Sequence, residues 1–177
     1  GSISGRISSS TGAIFGDVWR RDRHTCDPFP IPHDWDIWVG ADDGFVDPTV
    51  FIWLTQDPRT GTFYAIDEFW KSGCLPAKVA AEVKEIQAEL VRAPRSRGGE
   101  TELDRGPVTG LMDSAAFADT GQAEISRGDQ MKRLGLKIKP VDKWPGSRKD
   151  RAQNLHRLLA ENPKCPHKLP ALRVFKG

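Results

Sequence analysis

Trp38-Val39-Gly40-Ala41-Asp42-Asp43-Gly44 reads as a strand that stops on an acid, and Val108-Thr109-Gly110-Leu111-Met112-Asp113-Ser114 repeats that pattern much later in the chain. Apolar residues lead up to each acid and small residues follow it. Taken singly, Asp42 or Asp113 is an ordinary turn residue, because aspartate is common where strands end. Taken together they mean more. Two carboxylates at the ends of neighbouring strands repel each other unless a cation sits between them. That arrangement suits a pair of magnesium or manganese ions and phosphodiester chemistry. The reading therefore turns on whether the two strands are neighbours.

Working outward, Ile37, Val39 and Ala41 alternate with Trp38 and Gly40, which predicts a first strand ending at Asp42. Gly44 to Pro48 forms a turn, and Thr49 to Thr55, β-branched and aromatic throughout, is a second strand. Asp57-Pro58-Arg59-Thr60-Gly61 is a hairpin loop before a third strand, Thr62 to Trp70. The period then changes: Val79, Val83, Ile86 and Leu90 mark an amphipathic helix from near Pro76 that ends by Pro94. Residues 94–106 have the charged, Gly-rich composition of a mobile loop. A fourth strand, Pro107 to Met112, delivers Asp113. Ser126-Arg127-Gly128-Asp129 resembles a capping box for a short helix stopped by Gly135. Lys137 to Val141 is a fifth strand, and Ser147 and Asp150 cap a helix that buries Ala152, Leu155, Leu158 and Leu159 before Asn162-Pro163. Leu172 to Phe175 is one more strand. Three strands, helix, strand, helix, strand, helix is an α/β order. It predicts a ribonuclease-H-like mixed sheet, with a three-strand antiparallel meander plus parallel strands, flanked by helices. In that arrangement the first and fourth strands lie side by side.

The chain has 177 residues, enough for one domain with a real core. Residues 1–34, with Pro28, Pro30 and Pro32 and little periodicity, read as an N-terminal arm or linker, and residues 35–177 as the folded domain. No apolar run is long enough to span a bilayer and no signal-peptide pattern opens the chain, so a cytosolic, membrane-free setting is expected. Three widely spaced cysteines, Cys26, Cys74 and Cys165, argue against a disulfide framework. His24 with Cys26 and Cys165 with His167 lack the usual zinc spacing. The net charge of +2 conceals an asymmetry. From Lys132 onward there are 13 Lys and Arg against 3 acids, a net of +10, while the preceding residues carry 13 against 21, a net of −8. An acidic body able to hold cations, with a basic C-terminal third, suits a polyanionic substrate. A solvated basic face with no partner is the simpler alternative.

The ordered set of motifs carries a resemblance. Gly12 to Phe15, Phe29-Pro30-Ile31-Pro32-His33-Asp34-Trp35, Gly40 to Pro48, Tyr64-Ala65-Ile66-Asp67-Glu68, Met112-Asp113-Ser114, and Leu134-Gly135-Leu136 running into Lys143-Trp144-Pro145-Gly146-Ser147-Arg148 together resemble the nuclease domain of tailed-phage large terminases. The similarity spans roughly residues 12–176. It implies a Mg2+- or Mn2+-dependent endonuclease domain that cuts concatemeric double-stranded DNA by a two-metal mechanism. The implied setting is the cytoplasm of an infected or prophage-carrying bacterium. The terminase small subunit and portal protein are the implied partners of the full-length protein. No Walker-type Gly-x-x-x-x-Gly-Lys-[Ser/Thr] occurs, so no ATP hydrolysis is expected from this chain.

The resemblance makes Asp42 and Asp113 metal ligands. Glu68, read as ending the third strand next to the first, is an auxiliary ligand or the partner of a Lys or Arg. Asp43, on the opposite face from Asp42 if the strand persists, is expected to back the metal ligands or hold the turn, Asp47 to be structural or to reach a metal through water, and Asp67 to be exposed. Family members add an acid in an Asp-His-x-x-Asp-Ala-like helix near the C-terminus. The sequence stops at Gly177 without one, so a truncated end is expected. Lys143, Arg148, Lys149 and Arg151, around the start of the last helix, are the expected DNA contacts, or else a solubilising face. Two other readings stay open: another ribonuclease-H-like nuclease, such as a resolvase or integrase, and a non-catalytic DNA-binding or motor-docking domain.

Overall fold

The computed structural model describes residues 16–92, 106, 108–119, 121, 124–141 and 145–177. Its elements in chain order are α1 (Arg21–His24), β1 (Thr25–Cys26), β2 (Ile37–Asp42), β3 (Thr49–Gln56), β4 (Phe63–Lys71), α2 (Pro76–Val91), β5 (Gly110–Asp113), α3 (Arg127–Arg133), β6 (Ile138–Val141), α4 (Ser147–Leu158) and β7 (Leu172–Phe175). Single 3-10 turns cover Ser114–Phe117 and Pro166–Lys168. The strands hydrogen-bond in the order β1-β7-β4-β3-β2-β5-β6. β2, β3 and β4 follow one another in the chain and in the sheet, joined by loops too short for a parallel crossover. β5 and β6 extend the sheet in parallel from β2, and β7 lies parallel to both β4 and β1. The sheet is the mixed, ribonuclease-H-like one that the element order predicts.

Contacts divide the chain into two compact units. One comprises residues 37–53 and 67–143. Its core joins Val39, Phe51, Trp53, Phe69, Met112 and Ile138 from the strands with Val79, Ala80 and Val83 of α2 and Met131 of α3, all buried. Phe51 stacks on Trp53 at 6.1 Å and meets Phe69 edge-on at 6.2 Å. Pro76 opens α2 at a position where its missing N–H costs nothing. Ser126 caps α3 by accepting from the Asp129 N–H at 3.1 Å.

The other unit comprises residues 1–36, 54–66 and 144–177. Phe29 meets Tyr64 and Phe175 edge-on at 5.0 and 4.9 Å, and Trp35 stacks on Tyr64 at 6.2 Å. Asn162 donates to the Thr60 carbonyl at 2.9 Å and to the Thr62 hydroxyl at 3.1 Å, which closes the 57–62 hairpin. Arg173 on β7 donates to the carbonyls of Arg23 and Thr25 at 3.0 and 2.8 Å.

Three local expectations change. Within the stretch read as an arm, Thr25 and Cys26 form a strand paired with Val174 and Phe175. Ser147 does not cap α4. It is the first helical residue, and Gly146, at φ 86°, is the cap without any side-chain bond. The fourth strand begins at Gly110 and includes Asp113 rather than stopping before it. Residues 94–105 of the expected loop lie outside the described residues, as do Pro107 and Trp144. Among the described residues no helix is long and apolar enough to cross a membrane.

Candidate functional site

β2 and β5 are neighbouring parallel strands in the register Val39↔Gly110, Gly40↔Leu111, Ala41↔Met112. The next step sets Asp42 beside Asp113, both at the C-terminal ends of their strands. Side chains alternate across a strand. Buried Val39 and Met112 face the core, so Trp38, Gly40 and Asp42 share the opposite face with Leu111 and Asp113. Trp38 and Leu111 on that face are 42% and 52% exposed. Neighbouring strands lie about 4.8 Å apart, so the two carboxylates share one side of one sheet edge at close range. Asp42 is exposed and Asp113 half-buried. Asp113 Oδ1 accepts from the Ala115 N–H at 2.8 Å, which caps the 3-10 turn and fixes the direction of its side chain.

The acid next to Asp42 behaves differently. The Asp43 side chain is only 4% exposed, and Arg127 grips it as a fork: Nε donates to Oδ2 at 2.7 Å and Nη2 to Oδ1 at 3.0 Å. The Thr49 hydroxyl lies 3.0 Å from Asp43 Oδ1 and 2.6 Å from the Gly44 carbonyl. Gly44 closes this turn because a Cβ there would meet the Asp47 carbonyl oxygen at 2.5 Å. Arg127 Nη2 also reaches the Cys74 carbonyl at 3.1 Å, and its guanidinium lies 5.7 Å from the centre of the Phe45 ring. Asp43 is thus a buried anchor of the turn, as its position in the strand pattern implies. Arg127 was not singled out from the sequence. Its signal was an arginine in the first turn of a helix, where the macrodipole disfavours a cation that lacks an acidic partner.

Glu68 departs from expectation. β4 runs on to Lys71, and β3 lies between β4 and β2, so Glu68 neither ends its strand nor neighbours the first one. In a meander the third strand pairs with the second, which leaves Glu68 two strands, roughly 10 Å, from the row of Asp42. Its backbone N–H donates to Asp67 Oδ1 at 2.8 Å, and the Asp67 side chain is exposed as expected. Asp47 is an exposed turn residue. Among the described residues no group of three or more His, Cys, Asp or Glu side chains is arranged to hold a metal ion. His24 spends its ring nitrogens on backbone groups, Nδ1 at Arg20 and Nε2 at 2.8 Å from the Leu159 carbonyl. Cys26, Cys74 and Cys165 are free thiols, and burial pushes the Cys26 thiol pKa up.

Asp42 and Asp113 are nonetheless a donor set that fits a hard divalent cation. Magnesium is held by one or two carboxylates and completes its shell with waters and substrate phosphate. Of the basic residues expected to meet DNA, Lys149 and Arg151 are exposed on α4. Lys143 and the side chain of Arg148 lie outside the described residues.

No protein-family model matches the chain by sequence, and no curated protein matches it. Solved structures do match it in fold. The nuclease domain of the phage P22 large terminase superposes with a TM-score of 0.62 at 17% identity, over 93% of this chain and 73% of that one. The large terminase of a thermophilic bacteriophage gives 0.52, also at 17% identity, over 92% of this chain. The chain spans only 33% of that second protein. The fold is therefore that of phage large-terminase nuclease domains.

Proposed function

We propose that this chain is the metal-dependent endonuclease domain of a viral DNA-packaging large terminase, cutting concatemeric double-stranded DNA. One observation carries the proposal: Asp42 and Asp113 stand side by side on one face, at the C-terminal ends of parallel strands, in a fold shared with terminase nuclease domains. Ligand sites in open α/β sheets gather outside the carboxyl ends of strands.

Asp42 and Asp113 are the residues that would hold Mg2+ or Mn2+. When bound, two such ions supply a deprotonated water and charge stabilisation at the leaving oxygen. The chain's own contribution is placement. Asp113 is aimed by its bond to the Ala115 N–H, and Asp42 projects from the last residue of its strand. Glu68, two strands away on the same sheet, is left out of the pair that would hold the ion. Lys149 and Arg151, with Lys143 and Arg148, would neutralise phosphates along the duplex. The small subunit, the portal and the bacterial cytoplasm are the setting this reading gives the full-length protein.

Incubating the chain with supercoiled, linear and branched DNA in Mn2+, Mg2+ or EDTA tests this. The proposal expects metal-dependent cutting of supercoiled and linear duplexes alike. A preference for branched DNA would move the assignment to a resolvase. One further reading is a DNA-binding or motor-docking domain without catalysis. That reading predicts a salt-sensitive gel shift and intact DNA at every metal concentration.

A further inference from the structure

The two acids sit on separate strands with separate turns behind them, and the start of α3 touches both turns. Arg127, the first residue of that helix, binds both carboxylate oxygens of Asp43 and also reaches the Gly44 carbonyl at 3.4 Å and the Cys74 carbonyl at 3.1 Å. One guanidinium thus joins the turn that follows Asp42 to the segment entering α2. The next residue, Gly128, is buried against the turn that Asp113 caps: a Cβ there would meet the Phe117 ring at 2.8 Å and the Ala116 carbonyl oxygen at 3.0 Å. α3 itself is held by the Ser126 cap and by Met131, which is fully buried. Two adjacent residues of one anchored helix therefore meet the backbone behind both acids.

We propose that Arg127 is a positioning residue for the candidate metal centre, bracing the turn after Asp42 against the same helix start that braces the turn after Asp113. This rests on the nuclease reading. The brace sets where the Asp42 carboxylate stands relative to Asp113 without touching either, so it governs how tightly the pair holds a cation. A lysine cannot replace it, since a single ammonium lacks the planar fork that serves a carboxylate and two carbonyls together. Partners that orient metal-binding carboxylates commonly control affinity by about 10- to 100-fold.

The test compares the whole chain with Arg127→Gln, Arg127→Lys and Asp42→Asn. Mn2+ binding is read by electron paramagnetic resonance, nicking by Mn2+ titration, and amide exchange over residues 42–49 without metal. Arg127→Gln is expected to speed exchange in that segment while α2 stays protected. It should raise the Mn2+ dissociation constant and the half-saturating Mn2+ by at least about tenfold, with most of the cutting rate regained at high Mn2+. Arg127→Lys should fall between it and wild type, and serves as the variant if Arg127→Gln does not fold. A purely structural role would leave the Mn2+ titration where it was, and that result overturns the proposal. Wild type that binds no Mn2+, with Asp42→Asn indistinguishable from it, removes the nuclease reading and the brace with it. Wild type that binds where Asp42→Asn does not, beside an Arg127→Gln titration equal to wild type, removes the brace alone.

Discussion

At the scale of single residues, Asp42 and Asp43 show how one pleat separates two roles. Asp42 lies on the exposed side of β2, while Asp43 turns inward to Arg127 and the Thr49 hydroxyl. Breaking a buried pair strands its partner's charge. Asp43→Asn should accordingly cost about 3 kcal/mol in urea unfolding, whereas Asp42→Asn should not destabilise the metal-free chain. Removing one of two like charges set opposite each other on neighbouring strands should stabilise it by about 0.5 kcal/mol. The Cys26 thiol gives a separate check. Burial raises its pKa, with Asp27 adding to the rise and Arg173 and Lys176 opposing it. A raised pKa leaves less thiolate, so at pH 8 Cys26 should react with Ellman's reagent more slowly in the folded chain than in urea. Equal rates would contradict the burial. The alternation of the strand leading to Asp42 separated the two acids in advance. Arg127 was hidden because its partner lies far away in sequence, a contact that only packing creates.

At the scale of elements, period and punctuation located most of the chain. The meander, the Pro76 helix, the Ser126-capped helix and the last strand lie within a residue or a few of where their patterns place them. Ser126→Ala should cost about 1 kcal/mol by loss of the cap bond to the Asp129 N–H, measured by the urea midpoint at unchanged slope. Ser147→Ala should lose no cap, because Gly146 holds that position. One element escaped for a physical reason. β1 has only two residues, too few to show a period, and exists because β7 offers an edge to pair with. Glu68 does not neighbour the first strand, because a meander puts its middle strand between the outer two.

At the scale of the whole molecule, the proposed DNA partner is argued from charge. The basic C-terminal third, with Lys149 and Arg151 exposed on α4, is complementary to a polyanion, and under the proposal each phosphate contact shows up in salt dependence. Replacing both residues with alanine should weaken binding across unrelated sequences alike and lower the slope of log K against log salt by about 2. An unchanged slope would make α4 a solvated face. The fold class was legible because strand and helix periods alternate in a diagnostic order. Of the candidate site, the two strand-end acids stand out in the sequence, while the Arg127 grip on Asp43 depends on packing that no local pattern records.

The central claim is that Asp42 and Asp113 act as one unit on a divalent cation, and single-turnover plasmid nicking with Asp42→Asn, Asp113→Asn and the double variant tests it most directly. Wild type should nick in Mn2+ and stop in EDTA. Each single variant should lose nearly all of that activity, and the double variant should be no worse than either. Metal-dependent nicking that persists at the wild-type rate in either single variant would contradict the account.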